Sequence, residues 1–496
     1  MKVSYKKLWK RLIDSNLNKS DLQKITGLSS RSIAKLGRSE NMTTDSLVKI
    51  CEALHCDICD IIGLEEEEEN GSSPMDSPVT SVNFKINSFF AGIGGFDLAF
   101  ERHGFKTQFL CEINSYCNSV LSSHWPDVQK ANDICKLDPN TLPKAEVWCG
   151  GFPCQDISVA RGASQRLGLD GARSGLFYQY ARLLDVCKPE VVIIENVAGL
   201  FNSNGGRDFG VIIQRMTSMG YAVAWRLLNS RYFGVPQSRP RVYMCCWHMN
   251  PHKAIEAMFD PQGAFVPENE RLDFIEQSTP HGQYPIVPRV SFCLAATSGR
   301  HTGTDWSRTY VVCKDGVRRM TPIEYERLQG FPDLWTLPSS YTNDDDTDTL
   351  RYTAIGNAVS VPVVEWLAQR IHNLLLVSDR DFDISEDFVA GYRDFAKSTW
   401  TSQKLSDIDF MDAKQTFKWQ KAGLAWNDRF IEAKTHPTPS EPVLSSLYDV
   451  METGNVGKRY YLTPNAAEGI LRRVDTQGRK LFSPLYDALK RESLKK

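Results

Sequence analysis

Ser88-Phe89-Phe90-Ala91-Gly92-Ile93-Gly94-Gly95-Phe96 is the stretch that decides the fold. Ahead of it, residues 82–90 alternate apolar side chains with the period of two that a strand requires, and behind it a helical period begins. Glycines at such a junction let the chain turn tightly and let a ligand come close to the backbone. Twenty residues after Gly92 the next apolar strand, Phe109-Leu110-Cys111, ends in Glu112-Ile113, where a carboxylate can accept hydrogen bonds from ribose hydroxyls. A third strand end supplies Asp133-Ile134, an acid placed to accept from an adenine amino group. A nucleoside ligand is the natural reading. A glycine-rich turn followed by an acid also serves packing alone in many α/β proteins, and Asp133 also reads as a solvated turn carboxylate. Strand-like and helix-like stretches continue to alternate to about residue 244, which predicts an α/β domain on a parallel sheet.

Three more strand ends carry chemistry. Gly150-Gly151-Phe152-Pro153-Cys154-Gln155 follows Val147-Trp148-Cys149 and sets Cys154 on a glycine-rich loop, a poor place to bury a small hydrophobe. Val191-Val192-Ile193-Ile194 delivers Glu195-Asn196-Val197 to the same edge, and an acid directly after four β-branched residues is costly unless it is paired or functional. Gly234-Val235-Pro236-Gln237-Ser238-Arg239-Pro240-Arg241 leads into another strand, with Gln237, Arg239 and Arg241 on alternate positions and so to one side. A solvated basic strand end is the alternative for that last group.

With these residues in view, the chain resembles the DNA 5-cytosine methyltransferase family. The resemblance rests on Phe90 to Phe96, Pro153-Cys154-Gln155, Glu195-Asn196-Val197 and Gln237-Ser238-Arg239-Pro240-Arg241, in that family's order. Arg319-Met320-Thr321-Pro322 with Gln329-Gly330-Phe331-Pro332 and then residues 352–362, containing Gly356-Asn357-Ala358-Val359, resemble its late motifs. The match runs over 86–376 and implies a Rossmann-like domain that uses S-adenosyl-L-methionine on a cytosine flipped out of double-stranded DNA. It assigns Phe90, Gly92, Gly94, Gly95, Glu112, Ile113, Asp133, Ile134, Leu176, Asn357 and Ala358 to the cofactor. It assigns Cys154, Glu195 and Arg239 to catalysis, with Pro153, Gln155, Asn196 and Arg241 beside them. The chemistry accounts for these types: Cys154 adds to carbon 6, Glu195 holds N3 and the exocyclic amine, and Arg239 steadies the carbonyl side. Residues 158–175, with Arg161, Arg166 and Arg173, are expected to form a loop closing over the base, or a plain surface loop.

Working outward, Glu65 to Glu69 are five consecutive glutamates followed by Asn70-Gly71-Ser72-Ser73-Pro74, a stretch with nothing to bury. The expected organisation is a helical domain at 1–64, an acidic linker at 65–81, a catalytic domain at 82–248 and 318–377, a small target-recognition region at 249–317 and an extension at 378–496. In the first module, Leu8, Leu12, Leu22, Ile25, Ile33, Leu36, Leu47, Ile50, Leu54, Ile58 and Ile61 give short helical periods, about five all-α pieces. Residues 19–37 resemble a repressor-type helix-turn-helix meeting at Gly27, capped by Ser29 or Ser30, with Ser30, Arg31 and Lys35 toward a DNA groove. An operator of the chain's own gene is the expected partner, and a helical oligomerisation module is the alternative. In the recognition region, His281, Arg289, Arg300, His301, Trp306 and Arg308 are the candidates for base or phosphate contacts. The tail carries Phe417-Lys418-Trp419 and arginines among apolar residues at 470–485, while 460–471 faintly resembles a module that accompanies phage-type cytosine methyltransferases; a DNA contact, a protein dock and a structural cap all fit.

Composition narrows the class. Hydrophobic residues at 42% supply a large core, and a net charge of −2 leaves any nucleic-acid surface to local segregation of basic side chains. Thirteen cysteines without dense regular spacing or an export signal point to reduced thiols in a cytosol, and the resemblance implies a cytoplasmic protein that is prokaryotic or phage-encoded. Cys56-Asp57-Ile58-Cys59 has no second pair nearby, so no metal is expected. No apolar run approaches the roughly twenty residues of a spanning helix. The reading is a restriction-modification or phage-type enzyme; a transfer-RNA methyltransferase of the same fold and a repressor with a vestigial catalytic domain are the rivals, disfavoured by the helix-turn-helix and by intact Cys154, Glu195 and Arg239 respectively.

Overall fold

The computed structural model describes residues 2–5, 8, 12, 19–28, 35–36, 44–54, 61, 63–65, 83–153, 175–297, 307–378, 386–454 and 456–495. The chain divides into two compact units, Met1–Ser81 and Val82–Lys496. In the first, helices α1 (Lys19–Thr26) and α2 (Thr44–Leu54) bury Leu22, Leu47 and Ile50 with Tyr5, Leu8, Leu12, Leu28, Leu36 and Ile61. Gly27 ends α1 with φ +65°, its N–H donating to the Gln23 carbonyl. Ile25, expected on the apolar stripe, is instead 48% exposed. The unit is also not wholly helical: β1 (Lys2–Ser4) pairs antiparallel with β2 (Gly63–Glu65), so Glu65 belongs to a ladder and not to the linker. Local periodicity cannot reveal a pairing between residues some sixty apart in sequence.

The second unit is built on nine strands: β3 (Lys85–Phe89), β4 (Lys106–Cys111), β5 (Gln129–Ala131), β6 (Val147–Gly150), β7 (Val191–Val197), β8 (Tyr221–Asn229) and β9 (Pro240–His248), joined by β12 (Ala422–Trp426) and β13 (Arg429–Ala433); β10 (Tyr310–Cys313) and β11 (Gly316–Arg319) form a separate ladder. The order is β13-β12-β8-β9-β7-β6-β3-β4-β5. From β5 to β7 all neighbours are parallel, but β9 runs antiparallel between β7 and β8, and β12 antiparallel to β8. The wholly parallel sheet expected from the sequence is therefore corrected to a mixed one. Residues 230–239, which join β8 to β9, contain only a short 3-10 turn, and a parallel crossover needs a dozen residues or more.

The pleat divides the apolar side chains between two layers. Val191 and Ile193 face α3 (Gly95–Glu101), α4 (Ser115–His124), α7 (Pro251–Met258) and α10 (Val361–Leu375), whereas Val192 and Ile194 face α5 (Leu176–Cys187) and α6 (Arg207–Ser218). Each such side chain is fully buried, a stabilisation of about 1.5–3 kcal/mol apiece. Helix α7 belongs to this core even though the sequence sets 249–317 apart as a recognition region.

The stretch beyond 378 is also built into the unit. A Cβ on Gly423 would lie 2.2 Å from the Trp225 ring, and one on Gly210 2.1 Å from the Phe410 ring, so both glycines are small because tail and sheet meet there. Between sheet and tail, α8 (Pro322–Gln329) starts on a Thr321/Glu324 capping box and α9 (Asp345–Asn357) follows. The final helices, α11 (Pro464–Thr476) and α12 (Ser483–Ser493), pack on β10 and β11 around a third apolar cluster. Among the described residues no helix is long and apolar enough to cross a membrane.

Candidate active site

The carboxyl ends of β3, β4, β6 and β7 open into one cleft of about 520 Å3. That is within the usual range for a small-molecule site, and the edge is the one where α/β sheets bind ligands. Of the residues singled out from the sequence, Phe90, Gly92, Glu112, Ile113, Asp133, Ile134, Pro153, Leu176, Glu195, Asn196, Arg239, Arg241 and Asn357 line it.

At one end the geometry is set by Glu112. Its Oε2 accepts the Gly92 N–H at 2.8 Å and its Oε1 accepts the Asn114 N–H at 2.8 Å, which fixes the carboxylate at the mouth of the glycine turn. Remaining lone pairs on both oxygens are free to accept from a diol. Ile113 beside it is 78% exposed, an apolar side chain offered to the cleft. Asp133 Oδ1 accepts the Cys135 N–H at 2.9 Å, capping a short turn. Phe90, Gly92 and Gly94 all have positive φ, +54°, +56° and +80°. The glycines do different jobs: Gly92 faces open space in the cleft, whereas Cβ atoms on Gly94 and Gly95 would lie 2.3 Å from Trp125 and 2.7 Å from Val359. Gly94 and Gly95 therefore serve packing behind the cleft wall. Ala358 likewise stands behind the wall, its carbonyl accepting from Arg239 at 2.7 Å.

At the other end, Glu195 lies within β7 opposite Tyr243 of β9, so Arg241, two residues before Tyr243, is its diagonal neighbour on the same face. Arg241 Nε sits 3.1 Å from Glu195 Oε1. Burial pushes the Glu195 carboxyl above the ordinary carboxylate range, and the Arg241 and Arg239 guanidinium groups pull it part of the way back. Gly151 lies directly beside this carboxylate: a Cβ there would stand in ordinary contact, 3.5 Å from Glu195 Oε2. Asn196 Nδ2 donates to the Phe152 carbonyl at 3.0 Å, anchoring the loop just before Pro153.

Arg239 is placed differently from the expectation that it steadies a substrate carbonyl. It is 2% exposed, and its terminal nitrogens donate to the main-chain carbonyls of Leu294 (2.8 Å), Gly356 (3.1 Å) and Ala358 (2.7 Å). Gln237, Arg239 and Arg241 do keep to one side, all three reaching residues 293–294: both arginines contact Cys293 Sγ, and Gln237 is buried, donating to the Leu328 carbonyl at 2.9 Å and accepting the Leu294 N–H at 3.0 Å. Sequence reasoning missed Asn114, Tyr116, Asn132, Leu350 and Thr353, which also line the cleft. The first three flank Glu112 and Asp133 closely enough for a search around those acids to have found them.

Cys154, Gln155, Arg161, Arg166, Arg173, Arg300, His301, Trp306, Ser29, Ser30, Arg31, Cys56 and Cys59 lie outside the described residues, as does the linker beyond Glu65. Lys35 is half-buried. In the recognition region, Arg289 Nη1 donates to Glu276 at 3.2 Å, Arg308 Nη2 donates to the Thr297 carbonyl at 2.9 Å, and His281 is exposed.

A family model described as C-5 cytosine-specific DNA methylase matches residues 84–277 and 277–373, and one described as Cro/C1-type HTH DNA-binding domain matches residues 7–67. The chain is 31% identical over 301 residues to Type II methyltransferase M.NgoBI of Neisseria gonorrhoeae, covering 57% of this chain and 91% of that one. It is 31% identical over 315 residues to Type II methyltransferase M.HaeII of Haemophilus aegyptius, covering 60% and 95%. A crystal structure of a substituted DNMT2 from Spodoptera frugiperda superposes with a TM-score of 0.42 at 19% identity, over 58% of this chain and 100% of that one.

Proposed function

The chain belongs to the C-5 cytosine-specific DNA methylase family, whose members transfer a methyl group from S-adenosylmethionine to carbon 5 of cytosine in DNA, and from that premise we propose how its own residues divide the work. The carrying observation is that one cleft holds two distinct ends: Glu112, Ile113 and Asp133 on one side, and the Glu195–Arg241 pair on the other.

The first end fits an adenosine. Glu112 receives the ribose hydroxyls, Ile113 and Phe90 cover the base, Asp133 accepts from the adenine amine, and Leu176 and Asn357 close the sides. Bound there, S-adenosylmethionine supplies an electrophilic methyl group. The second end receives the cytosine, which must leave the base stack to reach a cleft. The Cys154 thiolate adds to carbon 6, which breaks aromaticity and makes carbon 5 nucleophilic. Glu195, protonated more readily than an ordinary carboxylate, donates to N3 as negative charge develops there. Arg241 orients Glu195 and faces the carbonyl side of the base. Arg239 is a positioning residue that ties the 294 and 356–358 segments behind the wall. After methylation the carbon 5 proton is lost to solvent, the 5,6 double bond re-forms, Cys154 leaves with the bonding pair and the N3 proton returns to Glu195. A duplex carrying 5-fluorocytosine at target positions, mixed with enzyme and cofactor, should give a denaturation-resistant adduct, since fluorine cannot leave as a proton does. Absence of any adduct on a duplex that the enzyme methylates when unfluorinated refutes the covalent route.

The Cro/C1-type module gives the chain a second means of binding DNA. We assign it to an operator near the chain's own gene, bound as paired half-sites distinct from the methylation target. The bacterial Type II relatives support a restriction-modification role in a prokaryotic or phage-infected cytoplasm.

A further inference from the structure

The tail and the recognition region share a core. Tyr310, Val312 and Val317 of the β10–β11 ladder are buried against Leu462, Ala467, Ile470, Val474, Phe482, Leu485 and Leu489, in an apolar cluster separate from the two that flank the sheet. Val311 faces the sheet core and Ile286 borders the cluster, but the other face of the ladder, Tyr310, Val312 and Val317, is covered by α11, α12 and Leu462. Its backbone is tied in as well: the Leu462 N–H donates to the Val317 carbonyl at 2.8 Å, and Arg318 bridges Tyr461.

This unit stands one helix away from the cleft. Leu350, Thr353 and Asn357 of α9 line the cleft. On the same helix, Asp348 accepts the Tyr460 hydroxyl at 2.8 Å and lies 3.0 Å from Arg459 Nε, which docks the start of the helical pair against it. A helix is about 10–12 Å across, so the surface of the pair lies within a few base pairs' length of anything entering the cleft.

The same stretch is the basic part of an acidic chain. Residues 456–496 contain ten Lys and Arg against four Asp and Glu, while the whole chain carries −2. Lys458, Arg472, Lys480, Lys490 and Arg491 are exposed on it. Glu468, Asp475 and Asp487 are exposed among them, so the surface mixes signs with positive charge in excess, and such an excess beside a DNA-processing cleft is the footprint of phosphate contact.

We propose that residues 456–495, together with β10 and β11, complete the DNA-recognition region: α11, α12 and the turn between them track the phosphate backbone of the duplex whose cytosine enters the cleft. This rests on the cleft acting on duplex DNA. The test is methyl transfer from radiolabelled cofactor to bacterial genomic DNA by the full chain, with kcat/KM measured over a series of salt concentrations. In the triple variant Arg472→Gln, Lys480→Gln, Arg491→Gln, the slope of log kcat/KM against log salt should flatten by about 0.9 for each phosphate contact removed, and kcat/KM at about 0.1 M salt should fall roughly tenfold or more. Cofactor affinity by calorimetry and the thermal midpoint should stay at wild-type values, since the three side chains are exposed and none of them lines the cleft. Arg472→Lys with Arg491→Lys should retain wild-type transfer, because phosphate tracking needs charge and not the guanidinium plane. A triple variant with an unchanged salt slope overturns the proposal and assigns the basic face to something other than DNA, such as an acidic protein. Wild-type enzyme that methylates no DNA overturns the reading beneath it as well, which separates the two failures.

Discussion

Replacing Arg239 and Arg241 in turn separates a strut from a reacting group, two roles the sequence could not tell apart. Arg239→Met removes the donors to three buried carbonyls, those of Leu294, Gly356 and Ala358. The Ala358 carbonyl keeps a donor in Gln329 Nε2 at 3.3 Å and the Leu294 carbonyl keeps one in Cys293 Sγ at 3.4 Å, so the Gly356 carbonyl is the one stranded. A buried acceptor left without a partner costs about 1–3 kcal/mol, and the two weakened bonds add to it. Methionine recovers some of this, because it no longer requires a buried guanidinium with no carboxylate in hydrogen-bond contact. The net expectation is about 2–3 kcal/mol. Arg241→Met removes the contact to Glu195 at 3.1 Å, a donor to the part-buried Pro240 carbonyl at 2.8 Å and a long contact to Cys293 Sγ, from a side chain 14% exposed. It should cost less stability than Arg239→Met, about 1–2 kcal/mol because the Pro240 carbonyl is only part-buried and Glu195 can take up a proton, and act on the chemical step. It should also move the Glu195 limb of the kcat–pH profile to higher pH, because Arg241 is the largest influence holding the charged carboxylate in favour. Urea midpoints and single-turnover methyl transfer measure both effects. If Arg241→Met unfolds the chain more easily than Arg239→Met, or if Arg239→Met keeps wild-type stability while abolishing transfer, the assignment of strut and reacting partner is reversed.

Gly94→Ala forces a left-handed φ on alanine and drives a Cβ to 2.3 Å from Trp125, at about 1–2 kcal/mol for the backbone and about 1–3 kcal/mol for overpacking. Gly92→Ala carries only the backbone cost and points into the cleft, so it should weaken cofactor binding more than it lowers the melting temperature; equal melting temperatures for the two variants would contradict this. Asp97 is pushed up to about 7 by burial, with its Ser88 hydrogen bond opposing and Glu101 adding. The folded state thus keeps a proton that the unfolded chain releases near 3.8, and stability should fall as pH rises from about 4 to about 7, by up to about 4 kcal/mol, then level off. Asp97→Asn should flatten that fall in denaturant titrations at pH 5 and 8; an undiminished slope would assign the dependence to other groups. Deleting residues 1–76 should leave methylation of ordinary duplexes intact and remove a footprint on DNA upstream of the chain's own gene; loss of methylation would make the module part of the catalytic clamp.

What the sequence determined by itself was whatever chemistry is local: the turn at Phe90 to Phe96, the acids at Glu112, Asp133 and Glu195 that end apolar strands, and the amphipathic pieces around Leu22 and Leu47. Each depends on neighbours within one strand or one helical turn, and a period of 2 or 3.6 is visible in the linear chain. The tertiary structure decided whatever depends on partners distant in sequence. The reversal of β9 sets Arg241 diagonally across from Glu195 and leaves Arg239 to the carbonyls at 294, 356 and 358, and no spacing rule distinguishes two arginines two residues apart until the strand's first residue is known. The same holds for Gly94 and Gly95, which a motif marks for the cofactor and which Trp125 and Val359 require for packing. It holds again for the tail, where β12 extends the sheet past β8 and α11 and α12 cover one face of the β10–β11 ladder. Burial is a property of surfaces brought together by the chain's long-range path, and that path is set by strand order and direction, which side-chain period alone does not encode.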